Sequence, residues 1–115
     1  MKQEIRQYMR IRSQKAGGIV GEFAFPATFS GFQGHFPEQP VLPGVCLVQG
    51  VLVLAESLCN AKPVLQEIIS AKFFAVVKPD SPVQISCTLE NGTLKAAVSG
   101  EAGRVAEIKL KVNCA

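Results

Sequence analysis

The segment VCLVQGVLVLAESLC, residues 45–59, constrains the fold more than any other part of the chain. Its length and the Pro-Gly pair before it predict a helix, which Asn60, Lys62 and Pro63 end. The apolar side chains cover most of the helical circumference and form no single stripe. They are Val45, Leu47, Val48, Val51, Leu52, Leu54 and Leu58. A helix that is apolar nearly all round must be buried nearly all round, so the rest of the chain has to surround it.

Alternating apolar and polar residues on both sides of this helix predict the strands that surround it. Gly17-Gly18 separates the first two strands and indicates a hairpin, and Asn91-Gly92 is a strong hairpin signal between two later ones. Residues 30–43 are irregular and rich in glycine and proline. The predicted strands cover residues 4–12, 19–25, 68–77, 83–89, 93–99 and 105–114.

Two strands, one buried helix and four further strands make an α+β layout in one domain over residues 1–115. A curled antiparallel sheet wrapped around one long central helix satisfies both the one-faced strands and the helix; this is the hot-dog fold. One sheet cannot cover every side of the helix or its own edges, so we expect a homodimer or a higher homo-oligomer.

Composition excludes several classes of function. The net charge of +3 argues against a strong nucleic-acid binder. No apolar run approaches the ~18 residues that span a membrane, and the charged start MKQEIRQYMR is unlike a secretory signal. One histidine and four cysteines without a C-x-x-C pair give no metal site, and no cofactor is expected. We therefore expect a cytoplasmic protein whose cysteines are reduced, small core residues.

The stretch GHFPEQPVLPGVCLVQG, residues 34–50, closely resembles the active-site segment of the 3-hydroxyacyl-acyl-carrier-protein dehydratases of fatty-acid synthesis. Those hot-dog enzymes carry G-H-F-P-x-x-P-x-x-P-G-V before the central helix. SAKFFAVVKPDSPVQI, residues 70–85, resembles a second segment of the family. The eight positions that match the first segment are Gly34, His35, Phe36, Pro37, Pro40, Pro43, Gly44 and Val45.

The resemblance implies a role for each matching residue. His35, the only histidine, would be the base at C2 of a (3R)-hydroxyacyl thioester on acyl carrier protein or coenzyme A. The Gly44 amide would bind the thioester oxygen, which suits a helix N-terminus because its N–H groups are free and partially positive. Phe36, Pro43 and Val45 would be further substrate-binding residues.

Gln49 departs from the family, which has Glu or Asp at this position of the helix. Glutamine can hydrogen-bond a hydroxyl but has no proton to transfer, and loss of acid–base help typically costs ~10²–10⁴-fold in rate. Glu38 in the loop and a water held by Gln49 are possible substitutes. Glu56 lies two turns along the helix, roughly 10 Å away, which is too far for direct proton transfer. Gln49 can equally belong to a polar strip with Glu56 and Asn60 that meets solvent or a polar interface.

Three functions follow from these residues. The first is an active but atypical dehydratase or a related enoyl-thioester enzyme, and the second is a non-catalytic acyl-binding or partner subunit that completes a site with an active homologue. A hot-dog thioesterase is the third, although thioesterases of this fold generally rely on a carboxylate here. Arg6, Arg10 and Arg12 are expected to form a solvated strand face, with docking of an acidic carrier protein as the alternative.

Overall fold

The computed structural model describes residues 2–32 and 41–114. Within these ranges one long helix accompanies six strands, with a short helix at the start and a 3-10 turn at Ser30–Phe32. The elements in chain order are α1 (Lys2–Gln7), β1 (Met9–Lys15), β2 (Gly18–Phe23), α2 (Gly44–Cys59), β3 (Val64–Phe73), β4 (Val83–Glu90), β5 (Thr93–Gly100) and β6 (Gly103–Asn113).

The strands form one antiparallel sheet in the order β1-β2-β4-β5-β6-β3. The β1–β2 hairpin pairs Lys15 with Gly18, and the β4–β5 hairpin turns at Asn91-Gly92, so both predicted hairpins are confirmed. The sheet leaves β1 and β3 as its two edges. This arrangement of one curled sheet and one main helix is the predicted hot-dog fold.

Helix α2 begins at Gly44 and ends at Cys59, as its sequence predicts. Every residue from Gly50 to Ala55 is buried, together with Cys46, Leu47 and Val48. Because this set covers several sides of the helix, the prediction of nearly all-round burial is confirmed. Asn60 ends the helix in the left-handed conformation, with φ at 54°. Among the described residues no helix is long and apolar enough to cross a membrane.

A glycine in β2 lets the helix lie close to the sheet. A Cβ added to Gly21 would stand 2.6 Å from Cδ1 of Leu54, a distance that packed atoms do not tolerate. Leu54 is fully buried, and Ile85 of β4 and Phe23 of β2 approach Gly50 from the sheet. Close packing of this kind explains how one helix fills the concave face of the sheet.

The prediction of one strand over residues 4–12 is wrong for its first half, because α1 occupies Lys2–Gln7 and β1 begins only at Met9. Ile5 is fully buried, and Tyr8 and Met9 pack against the same core. Spacings of three and four residues are typical of one face of a helix, and here α1 itself ends at Gln7, just before Tyr8 and Met9. A two-residue alternation also puts Gln7 on the same face as Ile5 and Met9, although Gln7 is polar and exposed.

Strand β3 differs from its prediction in both position and burial. It covers Val64–Phe73 and not residues 68–77, and Val77 lies in the irregular segment before β4. Most of its side chains are exposed, including the large apolar ones of Val64, Ile68, Ile69 and Phe73. The inward faces of β2, β4, β5 and β6 supply the buried sheet residues, so the sheet extends past the helix at its β3 edge.

The expectation that all cysteines are reduced core residues is half correct. Cys46 and Cys87 are buried and keep reduced thiols. Cys59, the last residue of α2, instead forms a disulfide with Cys114, which follows β6, and their Cα atoms lie 5.4 Å apart. The two residues are 55 positions apart in sequence, so no short-range spacing signals the pair.

Candidate active site

The start of α2 provides backbone amides that the helix itself does not use. Pro43 precedes the helix in an extended conformation, with φ at −63° and ψ at 146°. The Cys46 amide donates to the Pro43 carbonyl at 3.0 Å. The earlier amides of Gly44 and Val45 have no carbonyl four residues before them within the helix. They point from the positive end of the helix dipole, which suits an oxygen that gains negative charge.

The segment after β3 holds the entry to α2 in place. The Leu42 amide donates to the Val77 carbonyl at 2.8 Å, and both side chains are buried. Farther back, the amides of Phe74 and Ala75 donate to the Val105 carbonyl at 2.7 and 3.3 Å. The helix N-terminus is therefore tied through this segment to β6.

Phe73, the last residue of β3, packs directly on Gly44. A Cβ added to Gly44 would stand 2.7 Å from Cζ of Phe73 and 3.0 Å from both of its Cε atoms. The tip of the ring therefore faces the backbone of Gly44 and occupies the side on which an L side chain would lie. Any larger residue at position 44 forces this ring to move.

The other described site candidates lie on the first turns of α2 or just before it. Val45 is 58% exposed, Pro43 and Gly44 are partly buried, and Gln49 is partly buried in the second turn. Gln49 lies five positions after Gly44, which corresponds to about 7.5 Å along the helix axis. The helix thus carries the candidate oxyanion amide and the candidate acid position on one rigid element.

His35 and Phe36 lie outside the described residues, as does Glu38. The chain is described up to Phe32 and again from Val41. Of the six candidate site residues, the structure therefore locates Pro43, Gly44, Val45 and Gln49 at the start of α2. The roles of His35 and Phe36 stay predictions from the sequence motif.

Glu56, the carboxylate two turns along α2 from Gln49, is committed to another contact. Arg6 of α1 donates from Nε to Oε1 at 3.1 Å and from Nη2 to Oε2 at 2.5 Å. This two-point hydrogen bond raises the pKa of Arg6. Arg6 is therefore an inter-helix contact and not part of the predicted solvated strand face. The polar strip on α2 meets a polar interface at its Glu56 end.

A second contact of α1 holds the chain that leads toward the histidine motif. Glu4 accepts hydrogen bonds from the Ser30 amide at 3.1 Å and from Ser30 Oγ at 2.5 Å, which lower the pKa of Glu4. Next to Ser30, a Cβ on Gly31 would stand 2.9 Å from Sγ of Cys46 in the first turn of α2. The segment 30–32 is thus fixed between α1 and the start of α2. The sequence prediction missed this contact of Glu4 because it placed residues 4–12 in one strand.

The buried thiols of Cys46 and Cys87 are unsuited to nucleophilic chemistry. Burial raises the pKa of Cys46, with the charge of Glu4 as a smaller cause. Burial also raises the pKa of Cys87 to about 12. Because only a thiolate is strongly nucleophilic, both cysteines act as small apolar core residues.

Solved structures share this fold at low sequence identity. The dehydratase heterocomplex ApeI:P from Xenorhabdus doucetiae superposes with a TM-score of 0.81 at 21% identity, over 90% of this chain and 93% of that chain. A hypothetical thioesterase with coenzyme A from Streptococcus pneumoniae gives a TM-score of 0.70 at 13% identity, over 93% and 87%. Likenesses at such identities establish the hot-dog fold alone.

Sequence relatives are closer. The 3-hydroxyacyl-acyl-carrier-protein dehydratase FabZ of Latilactobacillus sakei is 34% identical over 91 residues, which cover 67% of this chain and 65% of that protein. FabZ of Caldicellulosiruptor bescii is also 34% identical, over 72% of this chain and 62% of that protein. The chain thus aligns with somewhat less than two thirds of the length of these relatives. The model of the ApeI-like family, described as ApeI dehydratase, matches residues 11–109, and the chain belongs to this dehydratase family.

Proposed function

We propose that this chain is a (3R)-hydroxyacyl thioester dehydratase that removes water from C2 and C3 of an acyl group on a carrier protein or coenzyme A. The family match over residues 11–109 carries this proposal. Two features support it. The motif glycine, Gly44, is the first residue of α2, and a 3-hydroxyacyl-acyl-carrier-protein dehydratase is 34% identical to this chain over 91 residues.

In the proposed reaction His35 takes a proton from C2, and the thioester oxygen gains negative charge. The Gly44 amide donates a hydrogen bond to this oxygen and stabilises the charge at the positive end of α2. The C3–O bond then breaks, and the hydroxyl leaves as water after it gains a proton. Gln49 holds the hydroxyl or a water beside it by hydrogen bonding, while the imidazolium of His35 returns the proton.

This reaction is expected to be slow, because neither helix residue considered for the acid role can supply a proton. Gln49 carries no titratable proton. Glu56 is paired with Arg6 and lies about 10 Å farther along the helix than Gln49. Loss of the usual carboxylate is expected to cost ~10²–10⁴-fold in rate.

The test is hydration of a crotonyl pantetheine thioester by the purified chain, with His35→Ala as the control. We expect slow hydration that His35→Ala abolishes. Equal rates for the two proteins would contradict the role of His35. Hydrolysis of the thioester in place of hydration would identify a thioesterase. The only support for that function is the fold shared with a solved thioesterase structure.

A non-catalytic acyl-binding subunit is the second candidate. It is favoured by Gln49, which stands where the family has a catalytic Glu or Asp. Such a subunit binds an acyl thioester but does not hydrate crotonyl thioester alone. A second hot-dog chain of the family would then supply the catalytic groups. Calorimetric binding of an unreactive acyl-pantetheine thioether separates this candidate from a chain that binds no acyl group at all.

Assembly through the β3 edge is part of the proposal, and the expected form is a homodimer. Val64, Ile68 and Ile69 expose apolar surface along a strand that pairs on one side with β6 and on the other with no described strand, and such an edge is a typical template for pairing with another chain. Phe73 lies at the end of the same strand beside Gly44, so the candidate site borders this edge. A heterocomplex with a related subunit is the outcome if the isolated chain stays monomeric.

A cytoplasmic location also stays a proposal, and one observation argues against it. Cytoplasmic thiols are normally kept reduced, whereas Cys59 and Cys114 form a disulfide. Alkylation of free thiols before cell lysis, followed by mass spectrometry, tests it. Alkylation of Cys59 and Cys114 supports the cytoplasm, and protection of both supports an oxidising compartment.

A further inference from the structure

The contact between Phe73 and Gly44 has a consequence for substrate choice. Phe73 ends an edge strand and is 47% exposed, yet the tip of its ring reaches the first residue of α2. The ring is therefore anchored on one side by the Gly44 backbone and open to solvent on the other. It lies beside the helix N-terminus, where the proposed thioester oxygen binds.

The next residue, Phe74, is a natural comparison. Its side chain is 51% exposed, nearly the same as that of Phe73. Arg104 stacks over the Phe74 ring at 4.9 Å from the ring centre, a cation–π contact away from the helix. Adjacent residues of an extended chain point to opposite faces, so two similar rings have different surroundings.

We propose that Phe73 is a specificity-determining residue that limits the size of the acyl group whose carbonyl binds the Gly44 amide. This inference rests on the proposed function. A carbonyl oxygen held by that amide brings its neighbouring carbon atoms close to the Phe73 ring. A full-length ring then admits straight acyl chains and obstructs chains that branch near the thioester.

Pocket size of this kind has effects of known magnitude. One methylene in an apolar pocket changes relative kcat/KM by roughly 10–200-fold. Shortening Phe73 to leucine removes several ring atoms at the end that contacts Gly44. We therefore expect Phe73→Leu to favour the branched substrate by about ten-fold or more relative to the straight one.

The first experiment compares kcat/KM for two 3-hydroxyacyl pantetheine thioesters. One has a straight acyl chain, and the other is branched at C4, the carbon next to the one that carries the hydroxyl. Phe73→Leu should raise the branched-to-straight ratio about ten-fold, whereas Phe74→Leu should leave it unchanged. A similar ratio for the wild type and Phe73→Leu would overturn the proposal. An equal change in both leucine variants would overturn it too, since the effect would then be general loosening.

The second experiment measures the contact without any reaction. Gly44→Ala should lower the midpoint of thermal unfolding in the wild type and lower it less in the Phe73→Leu background. Equal losses in both backgrounds would show that the two residues are uncoupled and would overturn the proposal.

Failure of the proposed function gives a different result. If the wild type neither turns over the thioesters nor binds unreactive thioether analogues, the proposed function is wrong. The specificity role of Phe73 is then wrong with it, even where the unfolding data confirm the contact. If the wild type binds the two analogues without turnover, the ratio of their dissociation constants replaces the ratio of kcat/KM.

Discussion

Arg6 of α1 and Glu56 of α2 join the two helices through two side-chain hydrogen bonds, at 3.1 and 2.5 Å. The contact spans 50 positions of sequence and uses a carboxylate two turns along α2 from Gln49. Because Glu56 is paired with Arg6, its role is structural. Two-point pairing of arginine with a carboxylate is geometrically specific, so this contact fixes the angle of α1.

Loss of the Arg6–Glu56 pair is expected to lower stability modestly and leave the chemistry unchanged. Glu56→Gln and Arg6→Met should each lower the midpoint of thermal unfolding, and the double variant should lose less than the sum of both. The hydration rate of crotonyl thioester should not change in Glu56→Gln. A large loss of rate with unchanged unfolding would instead make Glu56 the missing acid.

Gln49→Glu is expected to raise the dehydration rate by about ten-fold or more, since acid–base assistance is worth ~10²–10⁴-fold. The substitution puts a titratable group on α2 five residues after Gly44. The gain should disappear at low pH if the carboxylate must be ionised in one half of the cycle. Gln49→Ala is the control, because it removes the amide without adding a carboxylate.

An unchanged rate in a normally folded Gln49→Glu protein would show that the missing carboxylate does not limit this chain. If the native protein is as fast as an ordinary dehydratase, another carboxylate must supply the proton. Glu38 is then the first to replace, because Glu56 is paired with Arg6.

The Glu4–Ser30 contact is expected to make stability depend on pH. Hydrogen bonds from Ser30 lower the pKa of Glu4 in the folded state below its ordinary value of 4.5. A carboxylate with a lowered folded pKa contributes stability above its unfolded pKa, and this contribution is lost as the pH falls through the folded pKa. The difference in unfolding midpoint between the wild type and Glu4→Gln should therefore be constant above pH 4.5 and shrink below it.

Glu22→Gln is a suitable control for this titration, because Glu22 lies on β2 outside the Ser30 contact. The difference in unfolding midpoint between the wild type and Glu22→Gln should not shrink below pH 4.5 in the way expected for Glu4→Gln. A difference for Glu4→Gln that persists well below pH 4.5 would contradict the assignment.

Ile68→Lys is expected to weaken self-association. Ile68 is 50% exposed in the middle of the β3 edge, and a charge there opposes pairing with a second strand. Ile11→Lys is the matched control, because Ile11 is 43% exposed on β1 at the opposite edge. Sedimentation at micromolar concentration should give a dimer for the wild type and Ile11→Lys and a monomer for Ile68→Lys. A wild-type monomer would favour the heterocomplex.

Local signals in the sequence were sufficient for most of the fold. The helix is confirmed at Gly44 and Cys59 because Pro43, the apolar run and Asn60 all act within a few residues. The strand predicted for residues 4–12 was wrong in its first half. Ile5 and Met9 are four positions apart, and this spacing fits both one face of a helix and one face of a strand. Chain-local patterns do not distinguish these periods over so short a segment.

The site was predictable only as far as the motif runs along the chain. Gly44 and Gln49 lie on α2 where the register of the motif puts them. The Phe73–Gly44 and Glu4–Ser30 contacts join residues 29 and 26 positions apart, respectively. Their partners depend on how β3 and α1 dock, which no single segment encodes.

The disulfide between Cys59 and Cys114 makes a covalent ring of the polypeptide from the end of α2 to the end of β6. β3, β4, β5 and β6 all lie within this ring. A protease that cuts once in the ring, for instance at the exposed Asn91-Gly92 turn, converts it into two arms still joined at sulfur. No fragment separates until a reductant acts, so the nicked protein keeps its mass, apart from one added water, on a non-reducing gel.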